Sequence, residues 1–435
     1  MSRPVPTPTA RAREKAITVG VDFGRSSAWP LADSMAELDR LVGTDGADVV
    51  CSLTQRLDSP VPRTFIGSGK TRELVDLVRR YEADVVVFDD ELTPSQQSNL
   101  EKAVGEPVKI IDRTALILDI FGRHAKTSEG RLQVQLAQLK YLLPRLRGMW
   151  SHLMGEQTRG GIGSRFGQGE SQLEVDRRLV RDRISTLRRE LAGLESRRTT
   201  QSKARWDSGI YRVALAGYTN AGKSTLLNAL TGSDVYSKDE LFATLDPTTR
   251  ALDLSEGRRI TITDTVGFIQ KLPTTLVEAF KSTLSEVRSA DLILLVVDAS
   301  EPNYERQVKA VNDVLDEIGA GDVTTLLVFN KCDLAGPDVL ASLRSLHPEA
   351  CLISAFEKRG LEGLMFQIST IASQGDVSIT ATIPYDKGML IKLVHERGQV
   401  LRESYEQEGL VVTARVSPRL CSSLAPYLTG GGDLD

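Results

Sequence analysis

Residues 211–230 read "YRVALAGYTNAGKSTLLNAL": an apolar run, a glycine-bounded loop and a helix-forming continuation with no break between them. Within it, Gly217 to Ser224 satisfies the spacing G-x-x-x-x-G-K-[ST]. The strand in front and the helix behind are the context the pattern needs, and a chance match lacks them. In such a loop backbone N–H groups point inward at phosphate oxygens, and the helix N-terminus adds positive potential. Lys223 is placed to reach β and γ phosphates, and the Ser224 hydroxyl to bind Mg²⁺. Tyr218, Thr219, Asn220, Ala221, Gly222 and Thr225 complete the candidate cradle.

Three later motifs specify the base. "DTVG", Asp264, Thr265, Val266 and Gly267, follows the apolar run "RITIT". An Asp there can hold Mg²⁺ through water, and the Gly amide can meet a γ-phosphate. "NKCD", Asn330 to Asp333, follows "TLLVF". Asp333 can accept from N1 and N2 of guanine, which adenine cannot satisfy; Asn330 braces the loop and Lys331 is expected over the base. "SAF", Ser354, Ala355 and Phe356, ends the next strand and offers backbone donors to guanine O6. The order and the strand-end positions together point to GTP and GDP.

Outside this unit, residues 16–112 alternate apolar runs with helical patterns: "AITVGVDF", "SMAELDRLV", "ADVVCSLT", "TRELVDLVRRYE", "ADVVVFDD", "SQQSNLEKAV", "VKIID". That alternation predicts a small parallel α/β domain over 16–125. Between 126 and 205 strands cease. Leu132, Leu136, Leu139, Leu143, Leu146 and Trp150 form a heptad seam that Pro144 is expected to kink, and Leu173, Val180, Ile184, Leu187, Leu191 and Leu194 form a second. Two seams around "GGIGSRFGQGES" (160–171) predict an antiparallel helical hairpin whose tip is 151–171. The G domain is expected over 209–373 and a small C-terminal α/β domain over 380–428, ordered strand, helix, two strands, helix. The predicted class is thus multi-domain α/β, after a disordered leader over 1–15.

Composition sets bounds. A chain of 435 residues with net charge −4 is no global nucleic-acid binder, so any RNA contact needs a local basic region. Cys51, Cys332, Cys351 and Cys421 lack metal-ligand or disulfide-framework spacing and suit a reducing cytoplasm. With no run of about 18 apolar residues, a membrane span is not expected. "TFIGSGKTREL" (64–74) imitates a second phosphate loop, but Thr64 stands where glycine is needed and prolines precede it. It is read as a decoy, with a second nucleotide site that binds ATP as the alternative.

These motifs together resemble the translation-factor-related, Obg-like GTPases and, within them, the HflX family. The resemblance covers roughly residues 15–425 and rests on the ordered G-domain motifs, "LFATLDPTTR" (241–250) and the glycine-rich stretch. It implies that Thr244 is the switch threonine that ligates Mg²⁺ and senses the γ-phosphate, with Phe242, Ala243, Leu245 and Asp246 around it; Thr248 and Thr249 are rivals. It also implies that the hairpin enters the large ribosomal subunit and points at rRNA near the peptidyl-transferase region, where the GTP-bound protein dissociates stalled ribosomes. The tip residues Arg159, Arg165 and Phe166 are the candidate RNA contacts, since Arg grips phosphate and stacks on bases. The family motif is similar to "GGIGTRGPGETQLE", against which Phe166 is inserted and Gln168 replaces proline.

Lys140, Arg145, Arg147, Arg177, Arg178, Arg181, Arg183, Arg188, Arg189, Arg197 and Arg198 add basic charge to the hairpin, about half of it balanced by acidic neighbours. Phe268 stands where many GTPases carry a water-orienting glutamine, so hydrolysis is expected to be slow alone and stimulated by ribosomes. Lys223, Thr244 and Gly267 are the candidate catalytic residues. Asn220 is a candidate K⁺ ligand. A monomer is expected. Alternatives are a large-subunit assembly factor and a GTP-controlled adaptor that binds a protein.

Overall fold

The computed structural model describes residues 13–24, 29–157, 166–207, 210–232, 241–242, 246–254, 258–271, 273, 276 and 281–429. The chain divides into two compact units, Met1–Glu190 with Lys271–Ala279, and Leu191–Gln270 with Phe280–Asp435.

In the first unit, β1 (Lys15–Asp22), α1 (Leu31–Thr44), β2 (Asp48–Arg56), α2 (Ser68–Tyr81), β3 (Val85–Phe88), α3 (Pro94–Val104), β4 (Lys109–Asp112) and α4 (Arg113–His124) alternate as the sequence predicts. The strands pair in parallel in the order β2-β1-β3-β4. Near-continuous apolar strands are what a parallel sheet covered on both faces requires. Ile17, Val19, Leu53, Val86, Phe88 and Ile110 pack with Leu74, Val78 and Leu100 of α2 and α3 in one core. Residues 61–65 form a tight turn, with Val61 and Phe65 exchanging backbone hydrogen bonds, and α2 begins directly after it. No strand therefore feeds the GSGKT segment, and its Lys70 is paired with Glu73 at 2.9 Å.

Two long helices follow, α5 (Ser128–Gln157) and α6 (Phe166–Asp207). Helix α5 runs through Pro144; a proline removes one intrahelical bond, which the turns on either side can carry. One expectation is corrected: the tip is shorter than 151–171, because α5 extends to Gln157 and α6 begins at Phe166. Glu170, Gln172, Leu173 and Glu174 are strong helix formers and outweigh the nearby glycines. Arg159 and Arg165 lie outside the described residues. Phe166 is the first residue of α6. Arg183 donates to Gln135 at 3.1 Å, which sets α6 beside α5.

Buried charge organises this unit. Arg145, counted above among the hairpin's basic residues, is buried, with its guanidinium 3.2 Å from Asp112, 2.7 Å from the Leu92 carbonyl and over the Tyr141 ring. It is unavailable to RNA and instead ties α5 to the end of β4. Arg113 likewise bridges Glu37 at 2.8 Å and Asp89 at 3.4 Å, all three buried. The same Asp89 takes the Ser34 hydroxyl and the Lys271 ammonium, each at 2.6 Å. Burial alone raises a carboxyl's pKa, but Arg113 and Lys271 overcome it and hold Asp89 below its ordinary value.

The second unit begins with β5 (Tyr211–Gly217), α7 (Lys223–Thr231), β6 (Thr248–Asp253), β7 (Arg259–Asp264), α8 (Lys281–Arg288) and β8 (Leu292–Asp298). It continues with α9 (Tyr304–Glu317), β9 (Thr325–Asn330), α10 (Pro337–Leu346), β10 (Cys351–Leu352) and α11 (Leu361–Ala372). The sheet order is β10-β9-β8-β5-β7-β6, parallel except for the edge strand β6. Then β11 (Val377–Ile383), α12 (Gly388–Arg397), β12 (Gln399–Glu406), β13 (Gly409–Val416) and α13 (Pro418–Leu424) build an antiparallel β11-β13-β12 sheet backed by two helices. The predicted order of that last domain is the one observed. Among the described residues, no helix is long and apolar enough to cross a membrane.

Arg145→Ala is expected to destabilise the protein by about 3–5 kcal/mol, because it removes the counter-charge of the buried Asp112 carboxylate, which keeps only its hydrogen bonds from Leu92 N–H, Ala115 N–H and the Tyr141 hydroxyl. Urea denaturation followed by circular dichroism measures it, and a loss below about 1 kcal/mol contradicts the structural role.

Candidate active site

In a mostly parallel sheet the C-terminal strand ends gather on one edge, which is where ligands bind in such folds. Here β5 ends in Gly217, β7 in Asp264, β8 in Asp298 and β9 in Asn330. The sequence motifs fall on that edge because each directly follows its strand.

Glycine is structurally required at two points of the loop between β5 and α7. A Cβ on Gly217 would sit 2.2 Å from the Val296 carbonyl of the neighbouring strand. Gly222 has φ +89°, and a Cβ there would meet the Asn330 amide nitrogen at 2.3 Å. Asn220 is left-handed too, at φ +60°, a conformation Asn tolerates better than most residues.

Lys223 opens α7 with its side chain buried and its ammonium donating to the Gly217 carbonyl at 3.0 Å and the Tyr218 carbonyl at 2.8 Å. An ammonium has three N–H donors, so this grip holds it in the loop with one donor to spare. Burial draws its pKa down to about 8, against the opposing effect of Asp264, so the site favours an anion beside it. Ser224 donates to Asp264 at 2.6 Å. A hydroxyl and a carboxylate side by side are hard oxygen ligands, and they fit a Mg²⁺ ion. Thr265 spends its hydroxyl on the Leu215 carbonyl at 2.7 Å, a purely structural bond. Val266 is buried.

After Asp264 the chain runs against the phosphate loop. Gly267 is so close that a Cβ on it would lie 2.9 Å from Thr219 Cα and 3.0 Å from Lys223 Nζ. Thr219 N–H donates to the Phe268 carbonyl at 2.7 Å, and Phe268 N–H to the Gly217 carbonyl at 3.1 Å. The Phe268 ring is buried, so at this position a packed ring replaces the water-orienting amide of other GTPases.

On the base side, Asn330 donates to the Ala221 carbonyl at 2.9 Å and accepts the Ala355 N–H at 2.9 Å, bracing two loops as its position predicts. Asp333 Oδ1 is buried without a hydrogen-bond partner. Such an acceptor is costly unless a ligand supplies a donor, which guanine N1–H and N2–H do. Lys331, at φ +61°, points its ammonium at Asp298, 2.8 Å away. The amides of "SAF" are more committed than the sequence suggests: Ser354 N–H bonds the Arg359 carbonyl and Ala355 N–H bonds Asn330. Phe356 is 83% exposed.

Of the candidate switch residues, Phe242 is buried, Asp246 is half-buried, and Ala243, Thr244 and Leu245 lie outside the described residues. The rival Thr249 shares a 2.9 Å hydrogen bond with Thr263, and Thr248 faces Asp264 in the β6–β7 register. Asp298, 2.8 Å from the Lys331 ammonium, and the Tyr218 hydroxyl, which accepts the Gln270 N–H at 2.7 Å, lie among these candidates and carry no motif of their own. The first was legible as an acidic residue closing "DLILLVVD"; the second had no signal.

The comparisons with known proteins agree with this geometry. Residues 32–122 match the family model described as GTP-binding GTPase N-terminal, 124–205 the GTP-binding GTPase middle region, and 212–331 the 50S ribosome-binding GTPase. GTPase HflX of Caldanaerobacter subterraneus subsp. tengcongensis is 45% identical over 419 residues, covering 96% of this chain and 95% of that protein. The chain belongs to the HflX GTPase family. GTPase HflX of Escherichia coli is 40% identical, with 92% of each chain covered, and that of Flavobacterium psychrophilum is 49% identical over 74% of this chain and 76% of its own. Like other HflX proteins, the chain is a GTP hydrolase.

Asp333→Asn replaces an acceptor with a group that also donates. GTP affinity is expected to fall roughly 10- to 100-fold, as for loss of a charge-assisted hydrogen bond. Xanthosine triphosphate, with an oxygen at C2, is expected to bind the variant better than GTP does. Fluorescence titration with labelled nucleotides measures both, and an unchanged preference for guanine contradicts the assignment.

Proposed function

We propose that the protein binds the large ribosomal subunit in its GTP-bound state and separates stalled ribosomes into subunits, within the cytoplasm. The single observation that carries this is the match of residues 212–331 to the 50S ribosome-binding GTPase model, preceded in the chain by two long helices of which α6 is rich in arginine. Ser224 and Asp264 would hold Mg²⁺, with Thr244 as a further ligand; the ion supplies charge neutralisation at the transferred phosphoryl group. Lys223 neutralises the same phosphates from the loop floor. Gly267 offers its amide to the γ-phosphate, Asp333 selects guanine, and Asn330 fixes the base loop against the phosphate loop. Phe268 orients no water, so the slow step waits for groups supplied by the bound particle. Hydrolysis removes the γ-phosphate contacts that order Thr244 and Gly267, and the ribosome is released. Arg159, Arg165 and Phe166 are the residues we assign to rRNA contact.

Sucrose-gradient sedimentation of ribosomes with the protein and GTP, a non-hydrolysable analogue or GDP tests the proposal. Subunits are expected to accumulate with the analogue and not with GDP. Whole ribosomes that stay whole contradict splitting; preference for immature particles makes it an assembly factor, and a ribonuclease-resistant complex makes it a protein adaptor.

Asn220, at the mouth of the loop, carries an amide oxygen suited to a potassium ion. Hydrolysis is expected to run faster in KCl than in NaCl. Equal rates remove the cation from the site.

A further inference from the structure

Phe356, at 83%, is the most exposed of the large apolar side chains among the described residues. The two residues before it, Ser354 and Ala355, are buried. The turn that carries it is tied at both ends. Ser354 and Arg359 exchange backbone hydrogen bonds at 3.0 Å each, and Glu357 N–H donates to the Ser354 hydroxyl at 3.1 Å. Lys358 and Gly360 turn the chain back with φ +57° and +75°, and a Cβ on Gly360 would sit 2.6 Å from the Leu352 carbonyl. A turn so tied has few ways to move, so it presents the aromatic ring to water from a fixed place.

That place adjoins the candidate base site. Ala355 N–H donates to Asn330 Oδ1 at 2.9 Å and Cys332 N–H to the Ile353 carbonyl at 3.1 Å, so residues 353–356 run alongside 330–333. Asp333 Oδ1, the buried acceptor without a hydrogen-bond partner, lies at the end of the second segment. An acceptor of that kind meets a purine at its edge, which leaves both flat faces in water. Lys331 can cover a face only with its alkyl stem, because its ammonium is 2.8 Å from Asp298, whose other oxygen takes the Ser300 N–H and hydroxyl. The amides of Ser354, Ala355 and Glu357 are spent on the protein itself. What this turn offers a base is therefore chiefly the Phe356 ring.

We infer that the Phe356 ring stacks on one face of the guanine base and so sets nucleotide affinity through the base, independently of the phosphates. The inference rests on the reading of Asp333 as the acceptor for guanine. Stacking removes ring and base from water together, and a ring presented from a rigid turn loses little freedom when it does so. Because the stack touches neither the edge of the base nor the phosphates, it contributes equally to GDP and GTP. A ring that served only as a docking point for a macromolecule would leave nucleotide affinity untouched.

Calorimetric titration of the wild-type chain, Phe356→Ala and Phe356→Trp with unlabelled GDP and a non-hydrolysable GTP analogue tests this. Phe356→Ala is expected to lose affinity about five- to fiftyfold, by the same factor for both nucleotides, and Phe356→Trp to keep it. The side chain is so exposed that neither substitution disturbs a packed core. A second reading comes from fluorescence: the indole of Phe356→Trp is expected to be quenched when GDP binds, beyond any change from Trp29, Trp150 and Trp206 in the wild-type chain. Unchanged GDP affinity in Phe356→Ala overturns the stack, as does an indole whose emission ignores GDP. A loss confined to the GTP analogue overturns it too, by moving the effect to the phosphates. Failure of the wild-type chain to bind guanine nucleotides overturns the site itself, and an unchanged guanine preference in Asp333→Asn overturns the acceptor while leaving the stack to these titrations.

Discussion

Both ends of one side-chain amide are spent on backbone at Asn330, and the second unit's chemistry depends on that. Its nitrogen holds the Ala221 carbonyl in the phosphate loop, and its oxygen holds the Ala355 N–H in the loop that faces the base. The loop after β5 and the loop after β10, on opposite sides of β9, are therefore locked at fixed separation by a buried group with no rotational freedom left. Gly222 has to be glycine for the same reason, since any Cβ there would displace the Asn330 nitrogen. A phosphate grip alone is common to many proteins; in the function proposed above, this brace would couple it rigidly to the loops assigned to guanine.

The first unit is organised by a different economy. Its sheet is apolar, but around its C-terminal edge Arg113, Glu37, Asp89, Asp112 and Arg145 are buried as paired charges. Such pairs contribute little net stability over apolar packing, yet each is expensive to break singly. They therefore fix geometry more than they add strength, and they hold α4 and α5 in one register on the sheet. Lys271 joins this set although it follows the Asp264–Gly267 motif by only a few residues, and it adopts φ +53° while doing so.

Much of this was legible from residues alone, because strand-end motifs carry their context with them. The alternation of apolar and helical runs placed both parallel sheets, and Asn330's bracing role followed from its position at the end of "TLLVF". Arg145 was misjudged for a physical reason: a basic residue on a heptad flank looks solvated until the partner carboxylate, 33 residues away, is placed beside it. Glycine content makes 151–171 read as a tip, whereas the helix-forming Glu170–Glu174 segment belongs to α6. The Tyr218 clasp was invisible, since a hydrogen bond to a backbone N–H leaves no pattern in the sequence of either partner. The commitment of the Ser354 and Ala355 amides was hidden in the same way.

The antiparallel edge strand β6 has a consequence for Thr244. Thr248 begins that strand and stands opposite Asp264, the carboxylate that pairs with Ser224. Four peptide units separate Thr244 from Thr248, a leash of about 14 Å at full extension. The chain length alone therefore bounds how far the threonine proposed to sense the γ-phosphate can range from Thr248. Tethering at the sheet's rim turns its capture into a short intramolecular encounter, in which little loop-closure entropy remains to be overcome.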